Sequence, residues 1–351
     1  MAFFTVPLLE NLPFLLLEFF LGAVGAWLIS RLGFRMGFVD MPTHRSSHCI
    51  PTPKGGGVGI LLAFIAGCCF YHVSVYFFLS ATIVSVMSLM GDRMNISPIV
   101  RLVIQFGAAF LLLLNPPHMT SSSLSLFRFD SAPFVFIVLY LWGASVFIVG
   151  TANFFNFMDG INGIAAITGI VGFGLLTCYG LTCHKAQGLA MICLGLALAC
   201  AGFLPFNLPK ARVFMGDVGS ILLGFVFGAV VIVYSSNLTE SFLLACFLFP
   251  FYADELITMA ERIKDGQNLT APHRRHLYQV LANEAGIAHW KISCAYGLLQ
   301  LSLSLLFWKI SSKGLGWLIV AVVVAFFLFL SVNNVVKARF LKSNNYARAA
   351  R

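Results

Sequence analysis

The chain has 351 residues, 59% of them hydrophobic and only 10% charged, with a mean hydropathy of +0.91, a balance that excludes a soluble globular domain. Its formal net charge of +9 follows from basic residues on the inner side of membrane loops and their attraction to anionic lipid head groups, and calls for no nucleic acid. The nine cysteines fall mostly in or beside apolar runs without ligand spacing, which excludes a disulfide framework and leaves them as small apolar packing residues.

Apolar runs of about 17 to 22 residues, each able to cross roughly 30 Å of hydrocarbon, recur along the chain, so helices rather than a barrel satisfy the backbone. They predict an all-α polytopic bundle of about eleven transmembrane helices, near 12–30, 55–72, 74–90, 99–115, 133–150, 161–180, 188–205, 218–235, 241–260, 291–308 and 315–336. The first run lacks a basic leader and a small-residue cleavage site, and reads as a retained helix rather than a signal peptide. With the N-terminus outside and the C-terminus cytoplasmic, the loops near 31–54, 91–101, 151–160, 206–217, 261–291 and 337–351 face the cytoplasm. Those loops hold about eighteen of the 22 Lys and Arg residues, as the positive-inside rule requires. The chain reads as one integral membrane domain over 1–351, ending in a basic tail at 337–351.

A carboxylate at membrane depth costs roughly 2.5 to 3.5 kcal/mol, so the placement of the acids is informative. Asp92, Asp159, Asp217 and Asp254 all sit at helix ends on the predicted cytoplasmic side. Taken singly each reads as a cap or a solvated charge, and Asp217 as the cap of the helix that follows. Taken together, like charges at one depth repel unless a cation or shared protons compensate, and oxygen ligands suit magnesium or manganese. Glu10 and Glu18 near the first helix have no assigned role.

In chain order, the first polar loop runs from Asp40 through Arg45, His48 and Lys54 to Gly55-Gly-Gly57. Its basic groups can meet phosphate, and the glycines permit either anion approach at a helix start or close helix packing. Next, Asn153, Asn156, Asp159 and Asn162 recur every third residue, a spacing that places them near one face of a helical turn. Amides beside an acid suit a nucleobase, a ribose or an acetamido sugar. The turn Met215-Gly-Asp-Val-Gly-Ser220 can hold a metal, with Lys210 and Arg212 upstream; Lys210 reads as a topological flank. Finally, His273-Arg-Arg-His276 followed by Leu-Tyr-Gln279 forms a compact anion clamp on paper, since guanidinium forks match phosphate oxygens in pairs. Two local histidines with carboxylates otherwise available argue against zinc.

These blocks resemble the polyprenyl-phosphate N-acetylhexosamine-1-phosphate transferases, glycosyltransferase family 4, over most of the chain. The carriers are Arg45-Ser-Ser-His48 with Pro51-Thr-Pro-Lys-Gly-Gly-Gly57, Asn156-Phe-Met-Asp-Gly-Ile-Asn-Gly163, Met215-Gly-Asp-Val-Gly-Ser220 and His273-Arg-Arg-His-Leu-Tyr-Gln279. The resemblance implies transfer of a sugar 1-phosphate from a UDP-N-acetyl amino sugar to undecaprenyl phosphate, with release of UMP and support from Mg²⁺. It implies catalytic duties for Asp92, Asp159, Asp217, His273, Arg274 and His276, and substrate contacts from Arg45, His48, Lys54, Asn153, Asn156, Asn162 and Arg275. Asp217 and Asn156 become the metal ligands. It further implies a bacterial inner membrane, a site facing the cytoplasm, and a homodimer as an assembly its members use.

Two departures stand out. Where the family carries paired aspartates this chain has Gly91-Asp92, so Asp92 acts alone; the acceptor phosphate, with a second pKa near 6, is largely ionised and needs little base. Asn162 and the His-Arg-Arg-His loop resemble the branch that initiates O-antigen and lipopolysaccharide-related glycans, which implies an N-acetylated donor such as N-acetylfucosamine, quinovosamine, galactosamine or glucosamine linked to UDP. The competing classes are a secondary transporter, whose binding groups belong at the bilayer midplane, and a non-catalytic relative that binds the lipid carrier.

Overall fold

The computed structural model describes residues 9–42, 47–94, 96–114, 134–268 and 273–349, with side chains described as far as residue 341. Among them the chain is helical throughout, apart from one two-stranded ribbon. In order come α1 (Leu12–Met36), β1 (Val39–Asp40), β2 (Thr52–Pro53), α2 (Val58–Phe70), α3 (Val75–Met94), α4 (Pro98–Leu114), α5 (Phe134–Phe157), α6 (Ile164–Thr182) and α7 (Gln187–Asn207). They are followed by α8 (Asp217–Tyr234), α9 (Leu238–Ala245), α10 (Phe249–Lys264), α11 (Leu277–Asn283), α12 (His289–Ser311) and α13 (Leu315–Ala349).

Nine helical segments among the described residues are long and apolar enough to cross a membrane, with α9 and α10 joined by a short 3₁₀ turn into one of them. Two shorter apolar helices, α2 and α4, occupy the other two predicted positions. The protein is a multi-pass membrane helix bundle. Local chemistry sets several boundaries. Pro13 opens α1, where its missing N–H costs nothing. Gly37 closes the helix at φ 77°, its N–H bonding back to the carbonyls of Gly33 and Phe34.

The apolar runs differ in their surroundings. The span starting at Asp217 is 83% buried inside the protein, whereas Leu315–Leu341 is 11% buried. Helix α8 is therefore the central post and α13 a peripheral helix whose Trp317 and Leu328 face outward. In lipid no hydrophobic drive separates helix from tail, so close contact of small residues holds such bundles. The α1–α7 seam shows this: a Cβ at Gly22 would lie 2.1 Å from the Ala199 carbonyl oxygen, and one at Gly202 the same distance from that of Phe19.

One end of α8 is braced by the segment after α1. Strands β1 and β2 pair antiparallel, Val39 opposite Pro53 and Asp40 opposite Thr52. Beyond β2, the N–H groups of Gly55 and Gly56 donate to the Phe214 carbonyl at 3.1 and 2.9 Å, and that of Gly57 donates to Met215 at 2.9 Å. A Cβ at Gly57 would meet Gly219 Cα at 2.5 Å. Of the two readings of the Gly55–Gly57 run, the structure realises close packing: these amides are committed to backbone rather than offered to an anion.

Candidate active site

At the end where α3, α5 and α8 approach, a cavity of about 380 Å³ is lined by Asp92, Asp159 and Asp217 together with His48, Lys54, Asn156, Asn162 and His273. Residues more than a hundred positions apart thus share one space. The folding that brings them there is local at each point. Asp92 ends α3, Asn156 ends α5, Asp159 lies in the turn that follows, and Asp217 starts α8.

Asp217 does not cap its helix. The N-cap is Gly216, at φ 72° and without a side-chain cap bond. The Asp217 carboxylate turns to α4 instead, where its Oδ2 accepts from Arg101 Nη1 at 2.7 Å. Asp92 is engaged at both oxygens: Oδ1 accepts from Lys54 Nζ at 3.0 Å and Oδ2 from the Asp217 backbone N–H at 3.3 Å. It is therefore placed to fix Lys54 and the start of α8. Gly91 has its own physical reason. A Cβ there would stand 2.8 Å from the Arg101 guanidinium carbon, so the position where the family's second aspartate is expected is kept clear for the arginine that pairs with Asp217.

The Asp159 carboxyl lines the cavity with no hydrogen-bond partner among the described residues. Burial, and secondly the negative charge of Asp217, push it up from 3.8 to about 7. Asn156 is oriented by Ser220, whose hydroxyl donates to Oδ1 at 2.6 Å. Among the described residues no three His, Cys, Asp or Glu side chains stand together as a metal site. Magnesium, however, takes one or two protein carboxylates and fills its remaining positions with water and substrate phosphate. The carboxylates of Asp159 and Asp217 and the amide oxygen of Asn156 line one cavity, and oxygen donors of this kind fit such a cation.

His48 is held at both ring nitrogens, to Asp40 Oδ2 at 3.1 Å and to the Ile50 carbonyl at 3.0 Å, and stacks edgewise on Phe214. Asn162 donates its amide to the Pro209 carbonyl at 3.3 Å. Asn207, absent from the expected set, accepts from the Gly163 N–H and donates to the Val213 carbonyl at 2.9 Å, which ties the Asp159 turn to the loop before α8.

The structure departs from the predicted site at several points. Asn153 does not line the cavity: its amide donates to Gln105 Oε1 and to the Val149 carbonyl, both at 2.7 Å, and joins α5 to α4. The three-residue spacing fails to make one face because α5 ends at Phe157 and the chain turns before Asp159. The anticipated Arg-His clamp is also divided. His273 lines the cavity, but Arg275 pairs with Asp265 at 2.5 Å and Arg274 with Glu284 at 3.5 Å. His276 is buried, 3.3 Å from Glu255 and 3.6 Å from Asp254. It caps α11, whose first amides donate to Asp254, with Leu277 at 2.8 Å. His276 and Asp254 therefore build the loop's anchor rather than the cavity wall. Burial, followed by the positive charge of His276 and the neighbouring Arg262, lowers His273 to about 4, so at neutral pH it is an uncharged donor or acceptor. Arg45 lies outside the described residues.

The fold and cavity define a polytopic membrane protein with an acid-lined polar site at the end of its helix bundle. Residues 74–235 match the sequence model of glycosyl transferase family 4. It is 26% identical over 275 residues to a probable undecaprenyl-phosphate N-acetylglucosaminyl 1-phosphate transferase of Bacillus subtilis, covering 75% of this chain and 74% of the relative. It is 28% identical over 294 residues to the undecaprenyl-phosphate alpha-N-acetylglucosaminyl 1-phosphate transferase of Thermotoga maritima, covering 83% and 86%. A phospho-N-acetylmuramoyl-pentapeptide-transferase of Nostoc punctiforme is 29% identical over 272 residues, 72% of each chain. All three relatives are named as phosphosugar transferases, and the similarity supports a transferase enzyme.

Proposed function

We propose that this protein transfers an N-acetylated sugar 1-phosphate from a UDP-sugar to undecaprenyl phosphate, releasing UMP, at the cytoplasmic face of a bacterial inner membrane, and so initiates an O-antigen or related envelope glycan. The observation that carries the reading is the convergence of Asp92, Asp159 and Asp217 with Lys54 and His273 on one cavity at a bundle end. That placement favours chemistry at an aqueous edge over transport through the midplane. The names of the relatives support the polyprenyl phosphate acceptor.

In this mechanism an oxygen of the lipid phosphate attacks the donor's β-phosphorus. The bond from that phosphorus to the oxygen bridging the two phosphates breaks, and UMP leaves with the bridging oxygen. Lys54, fixed by Asp92 at 3.0 Å, meets phosphate charge. His273 donates to it in its neutral form. Asp217, Asn156 and Asp159 would hold Mg²⁺ or Mn²⁺, which when bound supplies charge neutralisation at the diphosphate. The acceptor, already ionised near neutral pH, requires positioning more than a base. A second, apolar cavity of about 760 Å³, lined from α5, α9, α10 and α13 by Phe147, Phe154, Phe242, Tyr252, Leu315 and Phe326 among others, has the chemistry an isoprenoid chain needs.

Purified protein incubated with a radiolabelled UDP-N-acetyl sugar, undecaprenyl phosphate and Mg²⁺ tests the proposal. Label passing into the organic phase is the expected result. Label that stays aqueous as free sugar or sugar phosphate defeats the transferase reading.

A further inference from the structure

His289, the first residue of α12, lines the same cavity. Two side chains of α12, four residues apart and so on one helical face, hold both backbone groups of Asn162. The Asn162 N–H donates to His289 Nδ1 at 3.3 Å, and Ser293 Oγ donates to the Asn162 carbonyl at 2.8 Å. Because Nδ1 accepts, the neutral ring carries its proton on Nε2. That Nε2–H has no partner among the described residues, and the ring is only partly buried. It is an uncommitted donor with a fixed tautomer at the cavity.

Its surroundings distinguish it from the other two histidines there. His48 has both nitrogens occupied, and His273 lies under the charges of His276, Arg262, Arg275 and Lys337. Among the described residues the His289 ring makes one hydrogen bond, from the Asn162 N–H, and no ion pair. The nearby amides of Asn162 and Asn207 are spent on Pro209 and Val213. Next along the chain, Ile161 is an aliphatic side chain lining the cavity. A neutral, pre-oriented donor beside a small apolar surface matches a neutral acceptor that carries a methyl group, as an N-acyl substituent does.

We infer that His289 Nε2–H donates to the acyl carbonyl of the donor sugar, with Ile161 beside the methyl, making His289 a specificity-determining residue for 2-acylamino sugars. The inference rests on the proposed sugar-phosphate transfer and names the part of the donor read by α12.

The test compares UDP-N-acetylglucosamine with UDP-glucose in full-length protein, measuring KM, kcat and the ratio of kcat/KM between the two donors. His289→Ala is expected to raise KM for the acetamido donor about tenfold, the scale of one lost hydrogen bond in a closed site, and to lower the discrimination ratio by the same factor. KM for undecaprenyl phosphate stays as in the wild type. Two further variants separate contact from scaffold. His289→Gln places an amide N–H where Nε2 was and restores the ratio. His289→Asn keeps an acceptor for the Asn162 N–H, lacks the reach, and behaves like alanine.

An unchanged ratio in His289→Ala with active wild type refutes the role of His289 alone, as does an equal rise in the inhibition constant of UMP, which would put the contact on the nucleotide. Restoration by asparagine rather than glutamine assigns the residue to holding the loop and also overturns the inference. Wild-type protein that forms no lipid-linked product removes the reaction on which the inference stands.

Discussion

Asp159 offers the sharpest test of the cavity's electrostatics. Its carboxyl is raised from 3.8 to about 7 by burial and by Asp217, so the folded protein holds a proton there that the unfolded chain releases at lower pH. By linkage, the cost of ionised Asp159 is absent below 3.8, grows as pH rises from there, and is complete above about 7. The full shift corresponds to on the order of 4 kcal/mol, at 1.36 kcal/mol for each tenfold change. Solvent at the cavity mouth reduces this to roughly 2 kcal/mol. Asp159→Asn copies the protonated form without the charge. In detergent with a chelator, the variant is expected to melt several degrees above the wild type at pH 8 and together with it at pH 5. Added Mg²⁺ should stabilise the wild type at pH 8 and leave the variant unmoved. Equal melting at pH 8, or a larger gain at pH 5, refutes the buried, repelled carboxylate.

Lys54→Met strands the mostly buried Asp92 charge; a loss of about 1 to 2 kcal/mol is expected after allowance for partial exposure, with turnover down at least a hundredfold, read by denaturation and initial rates. Asn153→Ala removes the α5–α4 bond to Gln105 and the bond within α5 to the Val149 carbonyl, neither of them at the cavity, so it should cost roughly 0.6 to 1.7 kcal/mol of stability and leave donor KM unchanged, whereas Asn156→Ala should impair donor turnover. Gly91→Asp places a carboxylate against Arg101, where a Cβ already meets the guanidinium at 2.8 Å, and is expected to draw that arginine from Asp217 and lower kcat rather than raise it. His273, held neutral down to about 4, should give a rate profile without a step near 6.5; a step there that His273→Gln abolishes would contradict the lowered value.

How much of this site was legible before folding depends on the range of each interaction. The acids at Asp92, Asp159 and Asp217 were readable because a carboxylate at a helix end in an apolar chain is costly wherever it points. The all-helical, membrane-spanning class followed from the lengths of the apolar runs in the same way. Partners distant in sequence were not readable. Nothing near Arg274 and Arg275 announces Glu284 and Asp265 as their pairs, or says that His276 folds onto Asp254 and Glu255. The same limit applies to Asn153, whose partner Gln105 lies on another helix. Gly91 read as a missing carboxylate, and only the position of Arg101 turns it into a cleared space. His289 carried no signal, since a lone histidine at a helix start fits many roles; its meaning comes from Asn162, 127 positions away.

The central claim is a transfer that cleaves the diphosphate and leaves UMP. Mass spectrometry and ³¹P NMR of one reaction containing UDP-N-acetylglucosamine, undecaprenyl phosphate and Mg²⁺ examine it directly. The expected products are a sugar joined to the lipid through a diphosphate and an equal amount of UMP. Release of UDP with a lipid monophosphate sugar, or consumption of donor without any lipid product, would contradict the account.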